Sequence, residues 1–171
     1  MQIVHLSERP TYIKLIAGWL YDEWGYLRPH SSLDSAVKKI EIRVDGKDIP
    51  SIFVAELDGK PVGTVSLVEH DLEIRPELSP WLASLYVHKD FRRQGIGSRL
   101  IIFFESFAKE LNIEKVYLYT PNQQKLYTSL GWTEREELEY LGRKVTIMEK
   151  DITSTYLKNA KYLVQQAHAP E

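Results

Sequence analysis

Apolar and polar residues repeat along this chain with two periods, which predict a mixture of strands and helices. An alternating pattern predicts a first strand at 1–6, whereas apolar residues every three to four positions predict helices at 7–25 and 31–44. The alternation returns in predicted strands at 51–57, 62–68, 80–87, 115–120, 134–140 and 144–152. The helical spacing returns at 97–111, 122–131 and 153–169. This order favours an α+β fold with a mixed sheet over repeated β-α-β units.

The chain is expected to form a single domain, residues 1–171. It is long enough for one proper core and short for two, and no internal repeat or low-complexity linker divides it. The one candidate boundary precedes the extra C-terminal helix predicted within 152–171. A single helix cannot bury its own apolar face, so we expect this helix to belong to the same domain.

Composition and charge exclude several classes of protein. The net charge of −2 offers no basic face for nucleic acid, so no nucleic-acid partner is expected. The absence of cysteine excludes disulfides, thiolate–zinc sites and cysteine nucleophiles, and the five histidines lack metal-ligand spacing, so no metal is expected. No apolar run is long enough for a signal peptide core or a membrane span. The sequence therefore predicts a cytoplasmic protein without a membrane partner, and it leaves the oligomeric state open.

The segment HKDFRRQGIGSRLIIFFESFA, residues 88–108, predicts an anion site. Gly95 and Gly97 lack a Cβ atom, so a ligand can approach their amides closely where the following helix begins. The forked donors of Arg92 and Arg93 suit phosphate oxygens. On these residues alone, a solvated turn that caps a helix is an alternative interpretation.

Two common phosphate motifs do not match this segment. A nucleotide-binding P-loop ends in Gly-Lys-Ser/Thr, whereas this chain has Gly97-Ser98-Arg99. A dinucleotide-binding fingerprint needs a third glycine and a β-α-β frame, and residues 95–100 have neither.

A third pattern matches in full. The segment Arg92-Arg93-Gln94-Gly95-Ile96-Gly97 resembles the Arg/Gln-x-x-Gly-x-Gly/Ala loop of the GNAT superfamily of N-acetyltransferases, which binds the pyrophosphate of acyl-CoA. As in that family, the loop follows a strand, here ending in Leu85-Tyr86-Val87, and opens a helix. Tyr127, followed four residues later by Gly131-Trp132, resembles the closing signature of the family. The chain is therefore identified as a member of this superfamily.

The resemblance implies a fold and a division of labour along the chain. It implies a mixed, mostly antiparallel central sheet that splays between its fourth and fifth strands, with helices on its flanks. It covers residues 51–151 as the core and, more loosely, residues 1–50, where relatives bind the acceptor.

The resemblance also implies acetyl-CoA as cosubstrate and names the residues that hold it. The backbone of Leu85, Tyr86 and Val87 is expected to pair with the pantetheine amides. The loop is expected to hold the pyrophosphate with Arg92, Arg93, Gln94, Gly95, Ile96, Gly97 and Ser98. Asn122 is adjacent to the cofactor in many relatives, although its spacing to Tyr127 is two residues shorter here than in the commonest pattern.

Acetyl transfer needs one group that gives a proton and one that takes a proton. Tyr127 stands at the family's general-acid position, and a phenol can protonate a departing thiol; a packed tyrosine without a catalytic role is the alternative. Many relatives place a glutamate on the fourth strand to deprotonate the amine, but residues 80–85 contain no carboxylate. His70 and Asp71, just after the third strand, are the nearest candidates, and an exposed polar turn or a water relay are the alternatives.

The acceptor site is the least determined part of the sequence. Glu69 and its acidic neighbours up to Glu77 predict a negative rim that would attract a cationic amine, with a solvated loop as the alternative. Trp24, Tyr26 and Trp81 are candidate substrate-binding residues. The sequence thus predicts acetyl transfer to a primary amine of a small, cationic molecule in a ternary complex. A protein or peptide N-terminal acetyltransferase and a non-catalytic acyl-CoA sensor remain alternatives.

Overall fold

A seven-stranded sheet forms the centre of the molecule, a computed structural model that describes residues 1–44, 46 and 48–153. Its strands are β1 (Gln2–His5), β2 (Ser51–Leu57), β3 (Lys60–Val68), β4 (Trp81–Val87), β5 (Lys115–Thr120), β6 (Thr133–Tyr140) and β7 (Arg143–Asp151). The α-helices of the described part are α1 (Ile13–Trp24), α2 (Leu33–Val44), α3 (Ile96–Glu110) and α4 (Gln124–Ser129). These elements follow the predicted segments closely. The predicted C-terminal helix lies outside the described residues from residue 154 onward.

The sheet is antiparallel except at its middle, where it opens. Its strand order is β1-β2-β3-β4-β5-β7-β6, and only β4 and β5 run parallel. Those two strands pair at a single position, Trp81 opposite Tyr117, and then diverge. The pairing of β3 with β4 also shifts between Thr64 and Ser66, where Ser84 has a φ of +53°. This bulge bends β4, and no described strand pairs with its far half on the β5 side, so the predicted splay between the fourth and fifth strands is confirmed.

Alternate residues of the central strands bury against helices on opposite faces of the sheet. Along β2, Phe53 and Ala55 pack in a core cluster with α3, whereas Ile52 and Val54 pack in another with α1 and α2. The period of two that predicts the strand thus also decides which helix covers each side chain. This packing places α3 on one face of the sheet and α1 and α2 on the opposite face, so that helices flank the opening between β4 and β5. No helix in the described part of the chain has both the length and the apolar character needed to cross a membrane.

A polar network locks the segment after α4 to the sheet. The indole N–H of Trp132 donates to Glu105 Oε1 at 2.8 Å, and Lys150 Nζ donates to Glu105 Oε2 and to the Leu130 carbonyl, each at 2.6 Å. The side chains of Glu105 and Lys150 are only 17% and 21% exposed. One carboxylate therefore joins α3, β7 and the turn that ends α4.

Replacing Glu105 by alanine is expected to lower the free energy of unfolding by about 1–3 kcal/mol. The change leaves the ammonium of Lys150 and the N–H of Trp132 without a carboxylate partner in a largely dehydrated place. Urea denaturation of the two proteins measures the difference. Glu110→Ala, on the exposed end of α3, is the control and should change stability by less than about 0.5 kcal/mol. Equal effects of the two variants would contradict the role of the network.

Candidate functional site

An open cleft of about 1100 Å³ lies where β4 and β5 separate. One part of its lining, the loop wall, comes from the far half of β4, the start of α3 and α4; it contains Leu85, Tyr86, Val87, Gly95, Ile96, Gly97, Ser98, Asn122 and Tyr127. A second part, the charged wall, comes from α2, the turns beside it, and β5 and β6; it contains Arg28, Lys39, Arg43, Asp71, Tyr119 and Tyr140. The cleft therefore brings residues from distant parts of the chain to one space.

The loop wall presents backbone amides that no part of the described protein uses. Gly95, immediately before α3, has a φ of +74°, and Arg93 has a φ of +63°. These left-handed residues turn the chain so that the amides of residues 94–98 gather at the helix N-terminus. None of these five amides donates to an acceptor among the described residues. Unpaired N–H groups at the positive end of a 15-residue helix are suited to an anion.

Gly97 has no steric reason within the protein itself to be glycine. A Cβ atom built on this residue would meet only Val87 Cγ2, at 3.8 Å, which is an ordinary contact. Gly95 differs, because its positive φ disfavours any side chain. The space beside Gly97 therefore remains available for a ligand that approaches the backbone closely.

Replacing Gly97 by alanine is expected to weaken acetyl-CoA binding by about tenfold or more without destabilising the protein. A methyl group would occupy the space of a phosphate oxygen and break one or two charge-assisted hydrogen bonds. Stability should stay level or rise by up to about 1 kcal/mol, because alanine is a better helix residue than glycine. Calorimetric titration with acetyl-CoA and a thermal melt measure the two effects.

Gly18→Ala is the matched control for this substitution. Gly18 also lies in a helix, and a Cβ atom there meets nothing within 4 Å. It should reproduce the effect on stability and leave acetyl-CoA binding unchanged. If Gly97→Ala bound acetyl-CoA as tightly as this control does, the loop would not hold the pyrophosphate.

The strand next to the loop also offers backbone groups to a ligand. Beyond Trp81, no strand of the described part pairs with β4 on its β5 side, and Leu85, Tyr86 and Val87 are half-buried in the wall of the cleft. An open strand edge of this kind pairs readily with an extended chain that carries amides. The edge and the anion site follow one another directly along the chain.

Arg92 is held against the protein in this structure. Its Nε donates to the Val87 carbonyl at 2.9 Å, its Nη2 lies 3.4 Å from Glu23 Oε2, and its guanidinium stacks 5.5 Å from the centre of the Tyr86 ring. Trp24 meets the same ring edge-on at 6.3 Å. Arg92 therefore supports the strand edge, whereas Arg93, also exposed in the lining of the cleft, makes no side-chain hydrogen bond or ion pair to the described residues.

Tyr127 lies on α4 with its ring buried and its hydroxyl unpaired. The residue is 7% exposed, and its ring meets Trp132 edge-on at 6.0 Å. Its hydroxyl makes no hydrogen bond to the described residues, although the residue lines the cleft. Burial raises the pKa of Tyr127, so the phenol keeps its proton throughout the neutral range. The protonated hydroxyl has no partner among the described residues, and its role as general acid stays a prediction.

Asp71 is the carboxylate of the charged wall. It is half-buried, and burial raises its pKa, an effect that the positive charges of Arg43, Lys39 and Arg28 only partly offset. No ion pair of 4.0 Å or less joins it to any of these cations. A carboxylate with a raised pKa at the edge of a cleft can take up a proton from a bound amine.

The comparisons with known proteins agree with this geometry. The model of the acetyltransferase (GNAT) family matches residues 13–132 of the chain. The chain belongs to the GNAT acetyltransferase family. One curated relative is the "Probable N-acetyltransferase camello" of Xenopus tropicalis, 31% identical over 122 residues. The match takes in 68% of this chain and 52% of the relative, so the chain spans about half the length of that protein.

Solved structures share the fold of this GNAT chain. An aminoglycoside 6'-N-acetyltransferase complexed with coenzyme A superposes with a TM-score of 0.73 at 16% identity, over 90% of this chain and 98% of the other. A ribosomal-protein-alanine N-acetyltransferase from Brucella melitensis gives a TM-score of 0.67 at 21% identity, over 88% and 99% of the two chains. The two proteins are named for acceptors of different classes, so likeness of fold does not decide the acceptor.

Two predicted residues of the GNAT chain lie outside the cleft. Glu69 and His70 are exposed and do not line it, because the backbone turns at this point and directs Asp71 inward and Leu72 into the core. This placement corrects the prediction of a catalytic His70 and of a substrate-binding Glu69.

The predicted acidic rim does not form either. Glu77 is exposed and away from the cleft, and Glu73 is paired with Arg28 at 3.1 Å. Arg75, in the same connection, is held by both carboxylate oxygens of Glu136 at 2.8 Å. The connection therefore contributes one carboxylate to the cleft, that of Asp71.

The aromatic candidates divide in the same way. Trp81 is 0% exposed, donates its indole N–H to the Leu78 carbonyl at 2.6 Å and packs on Tyr117, so it belongs to the core; this corrects its prediction as a substrate-binding residue. Trp24 lines the cleft as predicted. Tyr26 is 66% exposed outside the lining, with the guanidinium of Arg143 stacked 5.1 Å from its ring.

Gln94 and Asn122 differ in what they present to the cleft. Gln94 is exposed and does not line the cleft, whereas Asn122 lines it and accepts a hydrogen bond from Gln123 at 3.2 Å. Within the described residues, no group of three or more His, Cys, Asp or Glu is arranged to hold a metal ion.

The sequence-based prediction missed the cations of the charged wall. Lys39 and Arg43 are four residues apart on α2, which places them on the same face one turn from each other. That spacing was a usable signal. The apolar residues of the same helix form a stronger pattern, and that pattern indicates only that one face of α2 is buried.

Proposed function

We propose that this chain is an acetyl-CoA-dependent N-acetyltransferase that acts on the primary amine of a small molecule. The observation that carries the proposal is the loop wall, in which five unpaired amides and the space beside Gly97 follow directly after an open strand edge. This arrangement suits a ligand with a pyrophosphate and an amide-bearing arm, as acetyl-CoA has. Membership of the family and the coenzyme A named with one structural neighbour support it.

Two side chains handle the protons in this proposal. Asp71 accepts a proton from the ammonium of the acceptor, which frees the nitrogen lone pair to form a bond with the thioester carbonyl carbon. As the carbon–sulfur bond breaks, Tyr127 donates its proton to the departing sulfur. The nitrogen loses a second proton, which restores the Tyr127 phenol through solvent, and Asp71 returns its own proton to water. Each turnover therefore releases one proton.

The prediction that the acceptor is cationic loses its main support. That expectation rested on the acidic rim, and of its members only Asp71 reaches the cleft. A primary amine is retained because the chemistry needs a nucleophilic nitrogen, and a small molecule is favoured because the cleft is bounded on both sides by helices and strands.

An acetylation assay over a panel of primary amines tests the proposal, with release of free thiol as the readout. We expect acetyl-CoA to bind and at least one small amine to be acetylated. Binding of acetyl-CoA without transfer to any amine would overturn the enzymatic role in favour of a sensor. Transfer only to peptide N-termini would overturn the small-molecule acceptor, and failure to bind acetyl-CoA would overturn the assignment of the loop.

A further inference from the structure

The charged wall of the cleft holds positive side chains that the proposed transfer reaction does not use. Lys39 and Arg43 project from one face of α2, and Asp71 stands beside them in the same lining. Arg28 lies close by and is held in place by Glu73 at 3.1 Å and by the Tyr140 hydroxyl at 3.2 Å. We call Lys39, Arg43 and Asp71 the charge triad.

The members of the charge triad have no fixed partners. Neither Lys39 nor Arg43 makes a hydrogen bond or an ion pair of 4.0 Å or less with any described residue, and the same holds for Asp71. Several other arginines of the described part are paired with carboxylates, such as Arg9 with Glu56 at 2.9 Å and Arg135 with Glu149 at 2.7 Å. Donors that remain unpaired on the wall of a cleft are available to a ligand.

The net charge of the charge triad favours a ligand that carries a negative group. The charge of Arg28 is offset by Glu73, and the two cations of the charge triad face one carboxylate, so one positive charge is in excess. An acceptor with both an ammonium and a carboxylate would pair its ammonium with the carboxylate of the triad and its carboxylate with the two cations. Guanidinium and ammonium groups together bind a carboxylate with charge-assisted hydrogen bonds.

The triad also matches a pair of charges on one molecule. Asp71 is suited to the ammonium of an acceptor, and Lys39 and Arg43 are suited to an anion at short range from it. An α-amino acid carries an ammonium and a carboxylate on the same carbon atom. We propose that the charge triad binds the carboxylate of the acceptor and that the acceptor is an amino acid or a closely related amino carboxylate. The inference rests on the proposed function for its reaction and adds the substrate class.

The pKa values of Lys39 and Arg43 are both lowered, as expected for two cations that lack an anionic partner. Partial desolvation lowers the pKa of Lys39, although the residue stays exposed in the lining of the cleft, and the charges of Arg43 and Arg28 lower it further. Reduced contact with water also lowers the pKa of Arg43, against the opposing effect of Asp71. Both cations would gain from a bound carboxylate, which would offset their mutual repulsion.

Sets of matched acceptor molecules, assayed with this chain and acetyl-CoA, test the proposal. Each set contains an amino acid, its carboxamide and its aminophosphonate analogue, so that the amine and side chain stay constant while the anion changes. We expect kcat/KM for the preferred amino acid to exceed that of its carboxamide by tenfold or more. A carboxamide that reacts as well as the acid would overturn the carboxylate site while leaving the acetyltransferase proposal intact. A phosphonate that reacts better than the acid would overturn the choice of carboxylate.

A pair of neighbouring variants locates the site. Lys39→Met and Arg43→Gln should each reduce the preference for acid over carboxamide by tenfold or more, mainly through KM. Lys38→Met is the matched control, because Lys38 is the adjacent lysine of α2 and does not line the cleft. An unchanged preference in both cleft variants, or an equal change in the control, would overturn the placement.

A binding measurement separates this proposal from the proposed reaction. Calorimetric titration of the amino acid into the protein saturated with coenzyme A measures acceptor binding without chemistry. Carboxylate-dependent binding without acetylation of any amine would overturn the enzymatic role and support the anion site. Acetylation of other amines with no carboxylate-dependent binding would overturn the anion site alone.

Discussion

Replacing Tyr127 by phenylalanine is expected to lower kcat by tenfold or more while leaving the affinity for acetyl-CoA nearly unchanged. The substitution removes only the hydroxyl, which makes no hydrogen bond to the described residues and lies at the wall of the cleft. The departing sulfur then has to take its proton from water, and a positioned general acid is typically worth a factor of about 10²–10⁴. Steady-state rates and a titration with acetyl-CoA measure the two quantities.

The stability of this variant separates a catalytic role from a structural one. The Tyr127 hydroxyl bonds to no described residue and is open to the cleft, so its removal costs no internal hydrogen bond, and Tyr127→Phe should melt close to the temperature of the native protein. Tyr12→Phe is the control, since its hydroxyl bonds to the Gly59 carbonyl at 3.2 Å, away from the cleft; it should keep full activity and lose a little stability. An unchanged kcat in Tyr127→Phe would remove the general-acid assignment.

Replacing Asp71 by asparagine is expected to lower the rate at neutral pH by about a hundredfold. The amide keeps the size of the side chain but cannot take a proton from the acceptor ammonium. In the native protein, activity should fall as the pH drops through the raised pKa of Asp71, because protonation removes the base. In the variant this acidic limb should disappear. Rates measured over a range of pH, with one good acceptor at saturation, give both results.

The effect of the same change on stability has a defined sign. Because folding raises the pKa of Asp71, ionisation of this group opposes folding at neutral pH, and its stabilising contribution is fully present only below the unfolded value. The amide side chain of the variant stays neutral at every pH, so Asp71→Asn should be as stable as the native protein at pH 7 or more stable. The difference in stability between Asp71→Asn and the native protein should shrink as the pH falls through the raised pKa of Asp71.

Glu69→Gln is the control for both measurements. Glu69 lies two residues earlier, is exposed and does not line the cleft, so its variant should match the native protein in rate and in pH profile. A loss of activity in Glu69→Gln equal to that in Asp71→Asn would mean that the connection acts through its overall charge. Full activity in Asp71→Asn would favour a water relay without a dedicated base.

The anion loop could be predicted because it is local. Arg92 to Ser98 form a continuous segment between a strand and a helix, and the positive φ of Gly95 and the gathering of amides at the start of α3 follow from neighbouring residues. The order of strands and helices was predictable for the same reason, since periods of two and of three to four residues are properties of short segments. The splay of the sheet came from the resemblance, and the single pairing of Trp81 with Tyr117 confirms it.

The charged wall could not be predicted in this way, because its members meet only through tertiary packing. Lys39 and Arg43 are one turn apart on α2, but Asp71 comes from the connection after β3 and Tyr119 from β5, so sequence spacing does not relate the two cations to these residues. Of four acidic residues in that connection, Asp71 reaches the cleft because Leu72 on one side of it is buried in the core.

The tertiary structure also decided that Trp81 is buried in the core and does not line the cleft. Its position in a strand is predicted by local alternation, but its complete burial depends on Tyr117 and Tyr119, which approach from β5. The sequence by itself therefore determined the family, the elements and the conformation of the loop at residues 92–98, all of which depend on contiguous residues. The acceptor side was decided only by the packing of distant segments around the cleft, because charges on separate elements have no relation until the fold places them together.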